Sequence, residues 1–186
     1  SMRYWGPRSD EAAQQIRGFD PDRIVLLPLY PQFSKTTTGS SRKDWARAAR
    51  KAGLHAPTVA VCCYPAVSGM VAAQAARIKE ALCDLENGGN REPRPRVLFS
   101  AHGLPKRTVA SGDPYQWQVE QTAAAIVGEL KGAPDTPPFD SVLAGRTVQR
   151  AMELAEEAVV VLGFFSEAFE GIFPARIVHG LHVGGC

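Results

Sequence analysis

Four short apolar runs constrain the fold most: residues 23–28 (RIVLLP), 58–63 (TVAVCC), 96–101 (RVLFSA) and 158–162 (AVVVL). None shows the alternation of a strand with one wet face, so each predicts a strand buried on both faces. Helical spacing fills the stretches between them. Ser9 predicts a cap for a helix over residues 10–17, with Gly18 closing it in the left-handed conformation. After a polar loop over residues 29–41, Asp44 predicts the cap of a helix ending at Gly53, with Trp45, Ala48, Ala49 and Ala52 as its stripe. Residues 69–85 predict an alanine-rich helix packing through Met70, Ala73, Ile78, Ala81, Leu82 and Leu85. Asp113 followed by Pro114 opens a helix to about Leu130. A short strand over 141–144 and a helix over 145–156 precede the last run. Strands alternating with helices give an α/β fold on a mostly parallel sheet. Ligands of such sheets sit beyond the carboxyl ends of the strands.

Composition excludes several classes. A net charge of +2 with scattered basic residues gives no field for a nucleic-acid partner. No apolar run reaches the roughly 18 residues of a membrane span, and no signal peptide is visible, so the reading expects a cytoplasmic protein. Cys62, Cys63, Cys83 and Cys186 form no CxxC pair and read as buried free thiols in a reducing compartment. His179, His182 and Cys186 have a spacing that could hold zinc, but a glycine-rich tail is a poor frame for a metal site. Ser1-Met2 leads straight into a helical pattern with no strand before it, so the chain reads as starting inside a fold.

The chemistry-bearing segments follow the strands. His102 comes directly after RVLFSA, with Gly103 expected to allow an unusual turn and Pro105 to stiffen the exit. A lone histidine after a strand is usually structural. The loop 29–41 offers hydroxyls from Tyr30, Ser34, Thr36, Thr37, Thr38, Ser40 and Ser41, and Gly39 is expected to let it curl so that amides converge on an anion. Glu167 and Glu170, three apart, read on spacing alone as a solvated pair.

Three blocks change these readings. Residues 98–105 (LFSAHGLP) with Gly112-Asp113-Pro114-Tyr115, residues 27–41 (LPLYPQFSKTTTGSS) and residues 2–7 (MRYWGP) resemble, in unbroken order, the signature blocks of the ferrochelatase family. The likeness extends from Met2 to about Leu143. It implies an α/β; two Rossmann-like (chelatase-type) α/β/α halves architecture with parallel sheets and a cleft between them, incomplete here. The boundary would fall near Tyr64-Pro65, giving 1–64 as the second part of a first domain and 65–186 as a shortened second one. The implied activity is that of a lyase inserting ferrous iron into protoporphyrin IX, or coproporphyrin III, in haem biosynthesis.

The resemblance assigns His102 to proton abstraction, metal handling, or both. An imidazole suits the first because its pKa lies near 6.5. Glu170 becomes its expected carboxylate partner at the metal, with Glu167 weaker. Arg3, Tyr4, Tyr30, Ser34 and Thr37 become expected porphyrin contacts. Porphyrin and ferrous iron are the implied partners, with iron as substrate and no tightly bound cofactor. Lys35 stands where cluster-bearing members carry a ligating cysteine, so no iron–sulfur cluster is expected. Peripheral membrane association and self-association stay open.

The last segment departs from the family pattern. Residues 145–154 (GRTVQRAMEL) replace a QSRxGPxxW block, with Met152-Glu153 as its remnant. Residues 159–171 (VVVLGFFSEAFEG) resemble VVVxPxxFxSxHxET with one residue lost, so the family histidine falls on Ala168 and its threonine on Gly171. Two other readings therefore accompany the enzyme: an impaired remnant with at most porphyrin binding, and a related cobalt or nickel tetrapyrrole chelatase.

Overall fold

The computed structural model describes residues 6–88, 95–145, 159–163 and 177–179. It is an α/β structure made of two compact units. The first comprises Ser1–Tyr64 together with Gly112–Tyr115, and the second Pro65–Ser111 with Gln116–Cys186.

In the first unit, α1 (Ser9–Phe19) and α2 (Thr38–Ala52) accompany two parallel strands, β1 (Ile24–Leu26) and β2 (Thr58–Ala60). Ala13, Ile24, Trp45, Ala48 and Ala52 form the core, with Ile16, Leu26 and Ala49 packed against it. The predicted stripe of α2 is thus the one that packs. Outside the core, Arg47 reaches both carboxylate oxygens of Asp10, at 3.1 and 2.6 Å, and also Asp44. That guanidinium holds the Asp10 carboxyl at about 2, below its usual range.

Three expectations for this unit are corrected. The α1 cap lies one residue earlier, at Arg8, and Asp20 rather than Gly18 takes the left-handed position, at φ 50°. Helix α2 starts at Thr38, so Asp44 lies inside it and pairs with Arg47 one turn on. Its weak helix formers are drawn in because the Ser34 carbonyl accepts the amides of Thr37 and Gly39, at 3.2 and 3.0 Å. Gly53 does end the helix, at φ 68°. The strands RIVLLP and TVAVCC are covered on one face only: Val25 is 60 % and Val59 50 % exposed, and they stand opposite each other in register. Both helices pack on the Ile24 side, and no described element covers the other.

The second unit carries a four-stranded parallel sheet in the order β4-β3-β5-β6, from β3 (Arg96–Ala101), β4 (Asp140–Gly145), β5 (Val159–Gly163) and β6 (Ile177–His179). Val97 and Phe99 of β3 pack on Ile78, Ala81 and Leu82 of α3 (Ser68–Asn87) and on Ala123, Ile126 and Leu130 of α5 (Tyr115–Gly132). Leu98, between them, is equally buried. RVLFSA is therefore buried on both faces, as its pattern predicts. A short helix, α4 (Lys106–Ala110), was not anticipated, and neither was β6, which lies in the glycine-rich tail. It joins because its run IVH can pair in parallel with residues 161–163 of β5. The expected helix over 145–156 lies outside the described residues apart from its first residue, Gly145, which ends β4.

Cysteine burial is also corrected. Cys62 is exposed and Cys63 half-buried because the chain beyond β2 leaves the sheet, and Cys83, on α3, is half-buried too.

The two kinds of strand should respond differently to mutation. Phe99→Ala should cost about 3–5 kcal/mol of stability in urea denaturation, as a large buried ring leaves a cavity. Val59→Thr should stay within about 0.5 kcal/mol, as expected of an exposed position. Equal losses would contradict the one-sided cover of β2.

Candidate functional site

The second unit has a topological switch at β3. From β3 the chain passes to β4 on one side, and from β4 it crosses to β5 on the other. Connections leaving β3 and β5 in opposite directions open a crevice beyond their carboxyl ends. His102 is the first residue after β3, and its side chain is exposed. Pro105 then caps α4, its carbonyl accepting the amide of Thr108 at 2.8 Å. The glycine beside His102 is not the strained one. Among the described residues, glycines with positive φ are Gly53 and Gly112, the latter at 78°. Gly112 opens the GDPY segment, so the backbone requirement lies there and not at Gly103.

In the first unit the loop 29–37 is built around a buried side chain that the sequence shows only as a helix cap and as part of the GDPY block. Asp113 is 5 % exposed. Its Oδ2 accepts the Ser34 hydroxyl at 3.0 Å and the Lys35 amide at 2.8 Å, and its Oδ1 accepts the Tyr115 amide at 3.0 Å. Because the Ser34 proton goes to Asp113, the 2.8 Å contact between Ser34 and Thr36 hydroxyls must be donated by Thr36. The Thr36 amide also donates to Ser34 Oγ, at 3.1 Å. One carboxyl group thus caps α5 and fixes the turn that enters α2. The Asp-Pro cap was legible in the sequence; its second job, across 78 residues, was not.

The loop sorts its hydroxyls accordingly. Tyr30 is 58 % exposed, and Thr36 and Thr37 are exposed at the start of α2. Ser34, expected as a porphyrin contact, is 1 % exposed and its oxygen is fully engaged inside the protein. Direct contact with a ligand would require that network to open. Gly39 has no unusual φ. A side chain there would press on the Phe33 ring at 3.3 Å and the Ser34 carbonyl at 3.4 Å, so its role is close approach and not curling. Behind the loop, the Tyr64 hydroxyl donates to the Pro28 carbonyl at 2.7 Å, and burial pushes its pKa up.

Arg3, Tyr4, Glu167 and Glu170 lie outside the described residues, as do His182 and Cys186. Among the described residues no three histidine, cysteine, aspartate or glutamate side chains gather as a metal site, and no helix is long and apolar enough to cross a membrane.

Comparisons with known proteins point one way. A family model described as Ferrochelatase matches residues 1–172. A ferrochelatase of Caulobacter vibrioides is 49 % identical over 130 residues, covering 70 % of this chain and 35 % of that protein. One from Phenylobacterium zucineum is 50 % identical over 130 residues, with 70 % and 36 % covered. One from Pelagibacter ubique is 41 % identical over 129 residues, with 69 % and 36 % covered. The chain spans about a third of the length of these relatives.

The Asp113 clasp should separate its capping from its loop contacts. Asp113→Ala strands the Lys35 amide and Ser34 hydroxyl and should cost about 2–4 kcal/mol, combining a lost cap with unsatisfied buried donors. Ser34→Ala removes one of the carboxyl's three donors, together with the local bonds from exposed Thr36 that water can replace, and should cost about 1 kcal/mol. Urea denaturation reads both, and an Asp113→Ala loss no larger than that of Ser34→Ala would deny the carboxyl its central place.

Proposed function

Because the chain belongs to the ferrochelatase family, we propose that it serves ferrous iron insertion into a porphyrin, protoporphyrin IX or coproporphyrin III, as a lyase of haem biosynthesis. The observation that carries this reading is His102, exposed at the carboxyl end of β3, at the switch point of a parallel sheet.

The reaction sets the roles. A free-base porphyrin gives up two pyrrole protons as iron enters, so the site must accept protons beside the macrocycle and release the metal into it. His102 accepts a pyrrole proton through its imidazole and faces the incoming iron. Glu170 follows β5 in the chain, and β5 neighbours β3, so the sheet order supports a carboxylate partner from that side. A nitrogen and an oxygen donor form a partial set that iron can leave, unlike a closed thiolate cage. Tyr30, Thr36 and Thr37 present hydroxyls that suit the porphyrin's propionates, while Ser34 acts by holding their loop. Arg3 and Tyr4 enter through the family match alone. The Lys35 substitution supports a protein without an iron–sulfur cluster. A second reading, porphyrin binding without turnover, is favoured by Ala168 at the position of the family histidine.

His102→Ala should abolish ferrous iron insertion, read by loss of porphyrin fluorescence, while the melting midpoint stays nearly unchanged because the side chain is exposed. Retention of more than about a tenth of wild-type turnover, with the roughly 10²–10⁴-fold contribution of general-base groups as the standard, would remove His102 from the mechanism.

Porphyrin binding should depend on free propionates. Esterified porphyrin should bind about ten- to a hundredfold more weakly than the free acid, the loss expected for one charge-assisted hydrogen bond. Equal affinities in a fluorescence titration would deny the loop its assigned role.

A further inference from the structure

Cys62 and Cys63 are adjacent in the chain, outside any disulfide, with Cys62 exposed and Cys63 half-buried. They form a two-residue arch beyond β2 that is tethered on both sides. Before it, the Val61 amide donates to the Leu26 carbonyl at 2.9 Å; after it, the Tyr64 amide donates to the Pro31 carbonyl at 2.8 Å. The Tyr64 hydroxyl adds a third tether, to the Pro28 carbonyl. With both ends fixed, the backbone that carries the two adjacent thiols is held in place at the edge of the fold. The pKa of the Cys62 thiol is pushed up, chiefly by a hydrogen bond with Cys63 and then by burial, while the Arg42 guanidinium pulls the other way.

The donor count selects the ligand. Among the described residues no third histidine, cysteine or carboxylate joins the pair, so they supply two sulfurs and not the four ligands of a tetrahedral zinc site. Two soft sulfurs suit a thiophilic centre with two open valences. We propose that Cys62 and Cys63 form a two-thiol chelating site for monosubstituted trivalent arsenic. With an organoarsenic oxide, two As–S bonds form and both S–H bonds and the arsenic–oxygen bond break. The two protons leave with the oxygen as water, and arsenic stays trivalent, so no oxidant is needed. The arch lowers the cost of closing the ring because its backbone is held before arsenic arrives.

The site is independent of iron insertion, and its test needs no porphyrin. Phenylarsine oxide is added to the full chain carrying Cys83→Ser and Cys186→Ser, leaving the arch thiols alone. Intact-mass measurement should show one arsenic per chain, with both thiols lost to a chromogenic disulfide reagent. The adduct should survive excess glutathione and be released by dithiothreitol. Adding Cys62→Ser should weaken retention by about a hundredfold or more, the loss expected when the second contact is no longer intramolecular. Release by glutathione, or equal retention after Cys62→Ser, would overturn the proposal. Should the serine background fail to fold by circular dichroism, the wild-type adduct is mapped by peptide mass, and arsenic found on peptides other than the one holding Cys62 and Cys63 would overturn it equally.

Discussion

A buried carboxyl group is tolerated only where donors meet it, and Asp113 meets three: a hydroxyl and two backbone amides. Each donor comes from a different structural need. The Tyr115 amide is among the orphan groups at the start of α5. The Lys35 amide belongs to the turn leading into α2, where no ladder is at hand to satisfy it. The Ser34 hydroxyl passes the constraint on to Thr36. The shape of the hydroxyl-bearing loop therefore rests on a residue far away in the chain. Gly112 makes this geometry accessible: at φ 78° an L side chain would be strained, although open space surrounds an added Cβ. The requirement there is conformational, not steric.

Local signals were legible in the sequence where one physical cause acts alone. The run RVLFSA lies inside its sheet, with a parallel neighbour on each edge and α3 and α5 packed on Val97 and Phe99, and Leu98 on its other face is buried as well. Asp113-Pro114 opens a helix because the cap and the fixed proline φ act within three residues. Gly53 closes α2 because a left-handed residue is needed and glycine adopts it freely. The misreadings arise where a distant group decides. Thr38 to Ser41 look like loop by propensity, yet the Ser34 carbonyl and the clasp beneath it make them the first turn of a helix. Ser34 looks like a ligand-facing hydroxyl, but its partner lies 79 residues on. No window of local sequence contains that information.

The strands of the first unit show the same limit at the level of the sheet. RIVLLP and TVAVCC carry apolar residues on both faces, which is a statement about what each strand can bury and not about what covers it. In the structure one face carries α1 and α2, and the other presents Val25 and Val59. The pattern read correctly the parallel pairing of the two strands, since Ile24, Val25 and Leu26 stand opposite Thr58, Val59 and Ala60. It could not report cover, because burial is a property of two surfaces and the strand's sequence describes only one.

For the chemical site the sequence and the topology contribute different things. The motif identifies His102 as the residue to watch, but a motif places no atom. The sheet order adds a place: His102 follows directly on β3, the strand at the switch point of the parallel sheet, and its side chain is exposed. The proposed proton abstraction from a large flat ligand would need such a position, because a base buried between helices could not approach the centre of a macrocycle. A base on a free loop would lack the fixed geometry that makes abstraction fast. His102 avoids both defects: its backbone continues directly from a core strand, and its side chain is exposed. The rigidity of β3, fixed by Val97 and Phe99 in the core, is thereby passed to the side chain that the proposed reaction would need both exposed and held still.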